Sequence, residues 1–228
     1  MTNEEILKQI KGGLIVSCQA LPNEPLYSSF IMGRMAYAAY LGGAVGIRAN
    51  TVVDIQAIKA TVSLPIIGII KKTFSDSEIY ITPTMNEVDE LMAEGVSILA
   101  IDATNRVRPG GGTIEDLFPK IRAKYPNQLF MADCSSYEDG VRAEALGFDI
   151  IGTTLYGYTK EPCPVPAPNF EMMRRLASDL HKPVIAEGGI FSPEQLRTAM
   201  DQGVHACVVG SAITRPMEIT KRYVKALQ

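Results

Sequence analysis

Arg48, Lys71, Asp133 and Glu187 are the side chains best placed for chemistry, because each closes a run of strand length. The clearest run is Leu64-Pro65-Ile66-Ile67-Gly68-Ile69-Ile70-Lys71-Lys72. Its near-continuous isoleucines and shortness mark a strand buried on both faces, the kind parallel sheets use. Lys71 stands at the carboxyl end, and side-chain alternation turns Lys72 the other way. Desolvation and a neighbouring cation such as Arg48 lower a lysine's pKa, which makes it a base near neutral pH or an amine nucleophile. Asp133 and Glu187 add carboxyl groups for acid–base or orienting work.

A second signal is a pair of glycine turns, Glu187-Gly188-Gly189 and Gly210-Ser211. Glycines let backbone N–H groups approach phosphate oxygens unobstructed, and Ser211 adds a hydroxyl. Arg215-Pro216 opens the last helical stretch and brings a positive charge close by. These features together point to a phosphate grip formed by Gly188, Gly189, Gly210, Ser211 and Arg215.

The elements that must position these groups alternate. The sequence predicts strands over Leu14–Cys18, Ala44–Arg48, Ile66–Lys71, Ser97–Asp102, Leu129–Asp133, Asp149–Thr154, Pro183–Glu187 and Ala206–Gly210. Helices are expected over Ser28–Leu41, Thr51–Ala60, Met85–Glu94, Ile114–Lys124, Tyr137–Leu146, Glu171–Leu180, Pro193–Gln202 and Ile219–Leu227. Gly42-Gly43, Gly95 and Gly147 act as helix stops, and Ser192 with Pro193 is a start signal. Tyr156–Pro168 holds too many prolines for a helix and reads as a loop. Eight βα units demand parallel strands with right-handed crossovers and can close into a single-domain (β/α)₈ barrel over residues 1–228. An open doubly wound sheet is the rival, but no G-x-G-x-x-G follows the first strand. In a barrel all the strand ends meet at one mouth, so isolated charges become one pocket.

Composition narrows the partners. Net charge is −3, 46% of residues are hydrophobic, and no basic stripe is present, which argues against nucleic acid. The acidic start and the lack of a long apolar stretch give no sign of a signal peptide or a membrane span, so a cytoplasmic protein is expected. Cys18, Cys134, Cys163 and Cys207 are widely spaced and read as reduced thiols, mostly in the core. His181 and His205 precede strands and belong at the far end of the barrel. No motif for a metal or a nicotinamide appears, and no cofactor is expected.

The residues carry a specific resemblance. Leu14-Ile15-Val16-Ser17-Cys18-Gln19-Ala20-Leu21, Ser28-Ser29-Phe30-Ile31-Met32, Gly46-Ile47-Arg48 and Ile67-Gly68-Ile69-Ile70-Lys71 open it. Ile101-Asp102-Ala103-Thr104, Met131-Ala132-Asp133, Gly152-Thr153-Thr154-Leu155 with Gly157-Tyr158-Thr159, Ala186-Glu187-Gly188 and Ala212-Ile213-Thr214-Arg215-Pro216 continue it. Essentially the whole chain resembles the N-acetylmannosamine-6-phosphate 2-epimerase family. The resemblance implies a barrel enzyme of sialic-acid breakdown that converts N-acetylmannosamine 6-phosphate to N-acetylglucosamine 6-phosphate. It implies Lys71 as base and Glu187 as acid, with Arg48, Asp133 and Gln19 lining the sugar site. Thr153 and Tyr158 are taken as further substrate contacts. Gly189 and Ser211 depart from the family pattern, where a larger residue and a second glycine are common.

The chemistry agrees. Inverting C2 of a 2-acetamido sugar requires removing the proton α to C1 of the opened aldehyde, and charge developing on O1 needs donors such as Arg48 and Gln19. On physical grounds a Schiff-base aldolase using Lys71 as nucleophile, or a phosphosugar-binding module, stays open. A homodimer is compatible with the apolar helix faces.

Overall fold

In the computed structural model, residues 1–160, 163 and 165–228 are described; of the proline-rich loop expected over 156–168, positions 161, 162 and 164 lie outside the described residues. Eight parallel strands run β1 Leu14–Cys18, β2 Gly46–Asn50, β3 Ile66–Ile69, β4 Ile98–Asp102, β5 Leu129–Asp133, β6 Ile150–Gly152, β7 Val184–Glu187 and β8 Ala206–Val209. They close in that order, β8 pairing with β1, into a barrel. The helices are α1 Asn3–Ile10, α2 Ser29–Leu41, α3 Val52–Lys59, α4 Met85–Glu94, α5 Ile114–Lys124, α6 Tyr137–Leu146, α7 Phe170–Asp179, α8 Pro193–Asp201 and α9 Pro216–Lys225. Among the described residues no helix is long and apolar enough to cross a membrane.

Local chemistry sets the helix ends. Thr84 and Glu87 form a reciprocal capping box at the start of α4, and Ser192 accepts from the Gln195 N–H at the start of α8. Gly95 and Gly147 end α4 and α6 in the left-handed conformation that a side chain disfavours.

Strand alternation divides the core in two. Ile67, Ile98, Met131, Ile150, Ile185 and Val208 fill the barrel, and Ile6 and Ile10 of α1 join them. Ile47, Ile66, Ile70, Phe130, Val184 and Cys207 face outward and pack under the helices. His205 lies beside this α1 plug, its Nε2 2.8 Å from the Leu7 carbonyl oxygen. Cys18, Cys134 and Cys207 are buried free thiols, and Cys163 is exposed.

Two strand limits and one helix start differ from expectation in ways that matter. β2 continues to Asn50, so Arg48 is not a strand end but an inward side chain one layer deeper, 1% exposed. β3 stops at Ile69, and Lys71 follows it in an antiparallel bridge with Ile81. The last helix begins at Pro216, the opening that Arg215-Pro216 marks, and not at Ile219, because proline fits the first helical position, where no N–H bond is needed.

Candidate active site

The carboxyl ends of the strands surround a cleft with about 780 Å³ of empty space, its open mouth included. Lys71 reaches it because it shares the inward parity of Ile67 and Ile69, whereas Lys72 faces outward and pairs with Glu87 of α4 at 2.8 Å. The Lys71 backbone is pinned. Its N–H donates to Asn50 Oδ1 at 2.8 Å, and the neighbouring Ile70 carbonyl accepts from Thr82 at 2.8 Å. Thr82 holds φ +44°, a costly conformation for a β-branched residue that these bonds maintain beside the lysine. The Lys71 ammonium makes no ion pair within the described residues. Burial, then Arg48 and Arg215, lower its pKa to about 8, with Glu187 and Asp133 opposing.

Beneath Lys71 lies a buried charge cluster. Arg48 donates through Nη1 to Asp133 Oδ1 at 3.0 Å and to Glu187 Oε2 at 2.8 Å, and through Nη2 to Asp133 Oδ2 at 2.5 Å. Burial works against the guanidinium charge, but the two carboxylates outweigh it and hold Arg48 protonated. Asp133 is fully buried and does not line the cleft; it faces the inner side of Arg48. Glu187 does line it. Burial raises the Glu187 carboxyl above its ordinary range and the Asp133 charge adds to that, while the Arg48 and Lys71 charges restrain it.

The phosphate-type residues gather on one wall. Gly188, Gly189, Gly210, Ser211 and Arg215 all border the cleft. The N–H groups of Gly188, Gly189 and Ser211 find no acceptor among the described residues, which leaves them for an anion. Arg215 precedes α9 and is steadied by Glu24, its Nε 3.2 Å from Glu24 Oε1.

Two expected contacts need correction. Thr153 is not on the cleft: alternation turns it outward from the barrel, where its hydroxyl donates to the Glu187 carbonyl at 2.8 Å and accepts from the Glu187 N–H at 3.0 Å. Thr154 takes the inward place. Gln19 lines the cleft, but its Nε2 donates to Ser17 Oγ at 2.8 Å, and the buried Oε1 is the atom without a partner among the described residues. That makes it an acceptor for a sugar hydroxyl rather than a donor to O1. Tyr158 borders the cleft, half-exposed.

The amino-acid sequence that builds this barrel matches a known family. The sequence model described as "NanE: Putative N-acetylmannosamine-6-phosphate epimerase" matches residues 32–228. The chain belongs to this family. A relative from Caldanaerobacter subterraneus subsp. tengcongensis, "Putative N-acetylmannosamine-6-phosphate 2-epimerase", is 53% identical over 220 residues, 96% of this chain and 93% of the other. One of the same description from Borreliella burgdorferi is 54% identical over 225 residues, 97% of each chain. The solved structure of the N-acetylmannosamine-6-phosphate 2-epimerase from Clostridium perfringens superposes with a TM-score of 0.92 at 53% identity, covering 97% of this chain and 96% of that one.

Within this NanE-family cleft, sequence reasoning missed Ser17, Tyr80, Thr154 and Thr214. Parity on β1 signals Ser17 once Ile15 is known to face inward; Tyr80 arrives only through the fold-back of the chain after β3. Burial, and then the Asp102 and Asp133 charges, raise the Tyr80 phenol's pKa, so it stays a neutral hydroxyl. Gly189 is required by its surroundings: φ is +72°, and a Cβ would stand 2.6 to 2.8 Å from Ala167 and Pro168. Gly189→Ala is expected to lose about 1–3 kcal/mol of stability, read as a lower Tm. An unchanged Tm would contradict the crowding.

Proposed function

We propose that the chain, working as one barrel domain, epimerises C2 of N-acetylmannosamine 6-phosphate to give N-acetylglucosamine 6-phosphate in amino-sugar breakdown. The observation that carries this reading is the unpaired Lys71 amine, with a pKa near 8, across the same cleft from the free N–H groups of Gly188, Gly189 and Ser211. The anion cradle and Arg215 hold the 6-phosphate, which fixes the other end of the opened sugar near Lys71 and Glu187. Lys71 Nζ takes the C2 proton, and the C–H electron pair moves into a C1–C2 double bond with charge on O1. The Arg48 guanidinium, at the cleft floor, stabilises that charge. The Glu187 carboxyl returns a proton to the opposite face of C2. The cycle leaves Lys71 protonated and Glu187 ionised, and exchange with solvent resets both.

The reactive enzyme therefore holds one proton on the Lys71–Glu187 pair. kcat/KM should be bell-shaped: it rises as the pair loses a second proton and falls as the last is lost, with the alkaline limb near 8. In Glu187→Gln, C2 proton exchange by Lys71 alone should instead rise with pH and level off. Because the Glu187 charge raises the Lys71 pKa, that limb should lie below 8. A bell retained in Glu187→Gln would remove Glu187 from the scheme.

A phosphorylated sugar does not cross membranes unaided, which supports a cytoplasmic enzyme. A homodimer fits the exposed Met217, Tyr223 and Val224 of α9, a helix with no buried residue.

A further inference from the structure

We propose that Thr154 is a positioning residue whose hydroxyl couples Asp133 to Glu187 and stabilises the protonated form of Glu187. The inference rests on the role assigned to Glu187 above. Thr154 Oγ1 lies 2.7 Å from Asp133 Oδ1 and 3.0 Å from Glu187 Oε2, and the side chain is buried. A hydroxyl has one proton to donate and lone pairs to accept with, so it cannot donate to both carboxylates.

The pattern of donors decides where the proton goes. Asp133 receives Arg48 N–H groups on both oxygens and is the ionised partner, and the shorter Thr154 contact points to it. Thr154 then presents lone pairs to Glu187 Oε2. Two oxygens facing each other by lone pairs repel unless a proton lies between, and here only Glu187 can supply it. Oε2 still accepts from Arg48 Nη1 at 2.8 Å. After Glu187 gives its proton to C2, the Thr154 O–H rotates from Asp133 to Glu187. Asp133 keeps both Arg48 bonds, and no heavy atom need move.

Protonated Glu187 thus engages two hydrogen bonds through Thr154, one from Thr154 to Asp133 and one from Glu187 to Thr154, whereas ionised Glu187 engages one. Removing the hydroxyl penalises the protonated form more. The charged groups facing Glu187 are Arg48 from β2, Lys71 beyond β3 and Asp133 from β5, and each is unchanged in a Thr154 variant.

Thr154→Val keeps the shape and removes the hydroxyl; Thr154→Ser keeps the hydroxyl. On N-acetylmannosamine 6-phosphate, Thr154→Val should lower kcat about 10-fold, the factor that one neutral hydrogen bond commands, and leave KM within about twofold. The acid limb of its pH profile should move to lower pH, and Thr154→Ser should retain wild-type behaviour within about threefold. Infrared difference spectra supply a readout independent of turnover. The band of a protonated carboxyl that Glu187→Gln abolishes should weaken in Thr154→Val at fixed pH and persist in Thr154→Ser. Equal bands in Thr154→Val and wild type, an unmoved acid limb, or a Thr154→Ser enzyme as impaired as Thr154→Val would overturn the proposal. Should wild type fail to epimerise the sugar, the functional reading fails, and the infrared comparison still decides the role of Thr154.

Discussion

Lys71→Met is expected to lower kcat/KM at least about 10²-fold while raising the Tm at pH 7. Loss of a positioned base removes about 10²–10⁴ of rate, and no second amine enters the cleft to replace it among the described residues. The stability gain has the opposite sign to the activity loss because the fold holds Lys71 where its charge is disfavoured. Its pKa falls to about 8 from the 10.5 of a free lysine. Below pH 8 the lysine is charged in both states and the folded state bears the whole penalty. Between 8 and 10.5 the folded lysine is neutral while the unfolded one is still charged, and the penalty fades as the pH nears 10.5. The Tm advantage of Lys71→Met should therefore be largest below pH 8 and vanish toward pH 10.5. A Tm lowered at pH 7 would mean the lysine is instead stabilised by a partner. Lys72→Met, which faces outward to Glu87 and the Phe74 ring, should keep its turnover.

Arg48→Met is expected to damage folding and function together. It leaves Asp133 and Glu187 facing each other, buried and without their shared cation, a loss of about 3–5 kcal/mol. For a chain of this size that is on the order of 10 °C in Tm. Activity should fall at least 10²-fold with the loss of the donor at the cleft floor. Combining Arg48→Met with Asp133→Asn relieves the unpaired charge, so the double variant should unfold at a higher temperature than Arg48→Met alone. Additive losses in the two variants would show that the charge cluster is not coupled.

The barrel was legible because its signals are local and repeated. Buried isoleucine runs, glycine stops and the Ser192-Pro193 start each mark one element, and eight repeats admit few closures. Lys71 and Glu187 were legible for the same reason, as charges ending apolar runs. Arg48 was placed one layer too shallow because a charge reads as a strand's end. Here the strand continues to Asn50, since Asp133 and Glu187, distant in sequence, neutralise the arginine inside the barrel. Thr153 was preferred to Thr154 because β6 is apolar on both faces, and Ile150-Ile151 gives no parity. Tyr80 carries no local mark: its place depends on the bridge between Lys71 and Ile81. The atom of Gln19 left for a ligand depends on Ser17, a neighbour that only the folded strand end aims at it.

The most direct test is turnover of N-acetylmannosamine 6-phosphate in deuterated water, followed by proton NMR, for wild type and Lys71→Ala. Direct proton transfer predicts N-acetylglucosamine 6-phosphate carrying deuterium at C2 from the first turnovers, and neither product nor C2 exchange with Lys71→Ala. Product that retains protium at C2, or cleavage of the sugar with a borohydride-trapped lysine, would contradict proton transfer by Lys71 and Glu187.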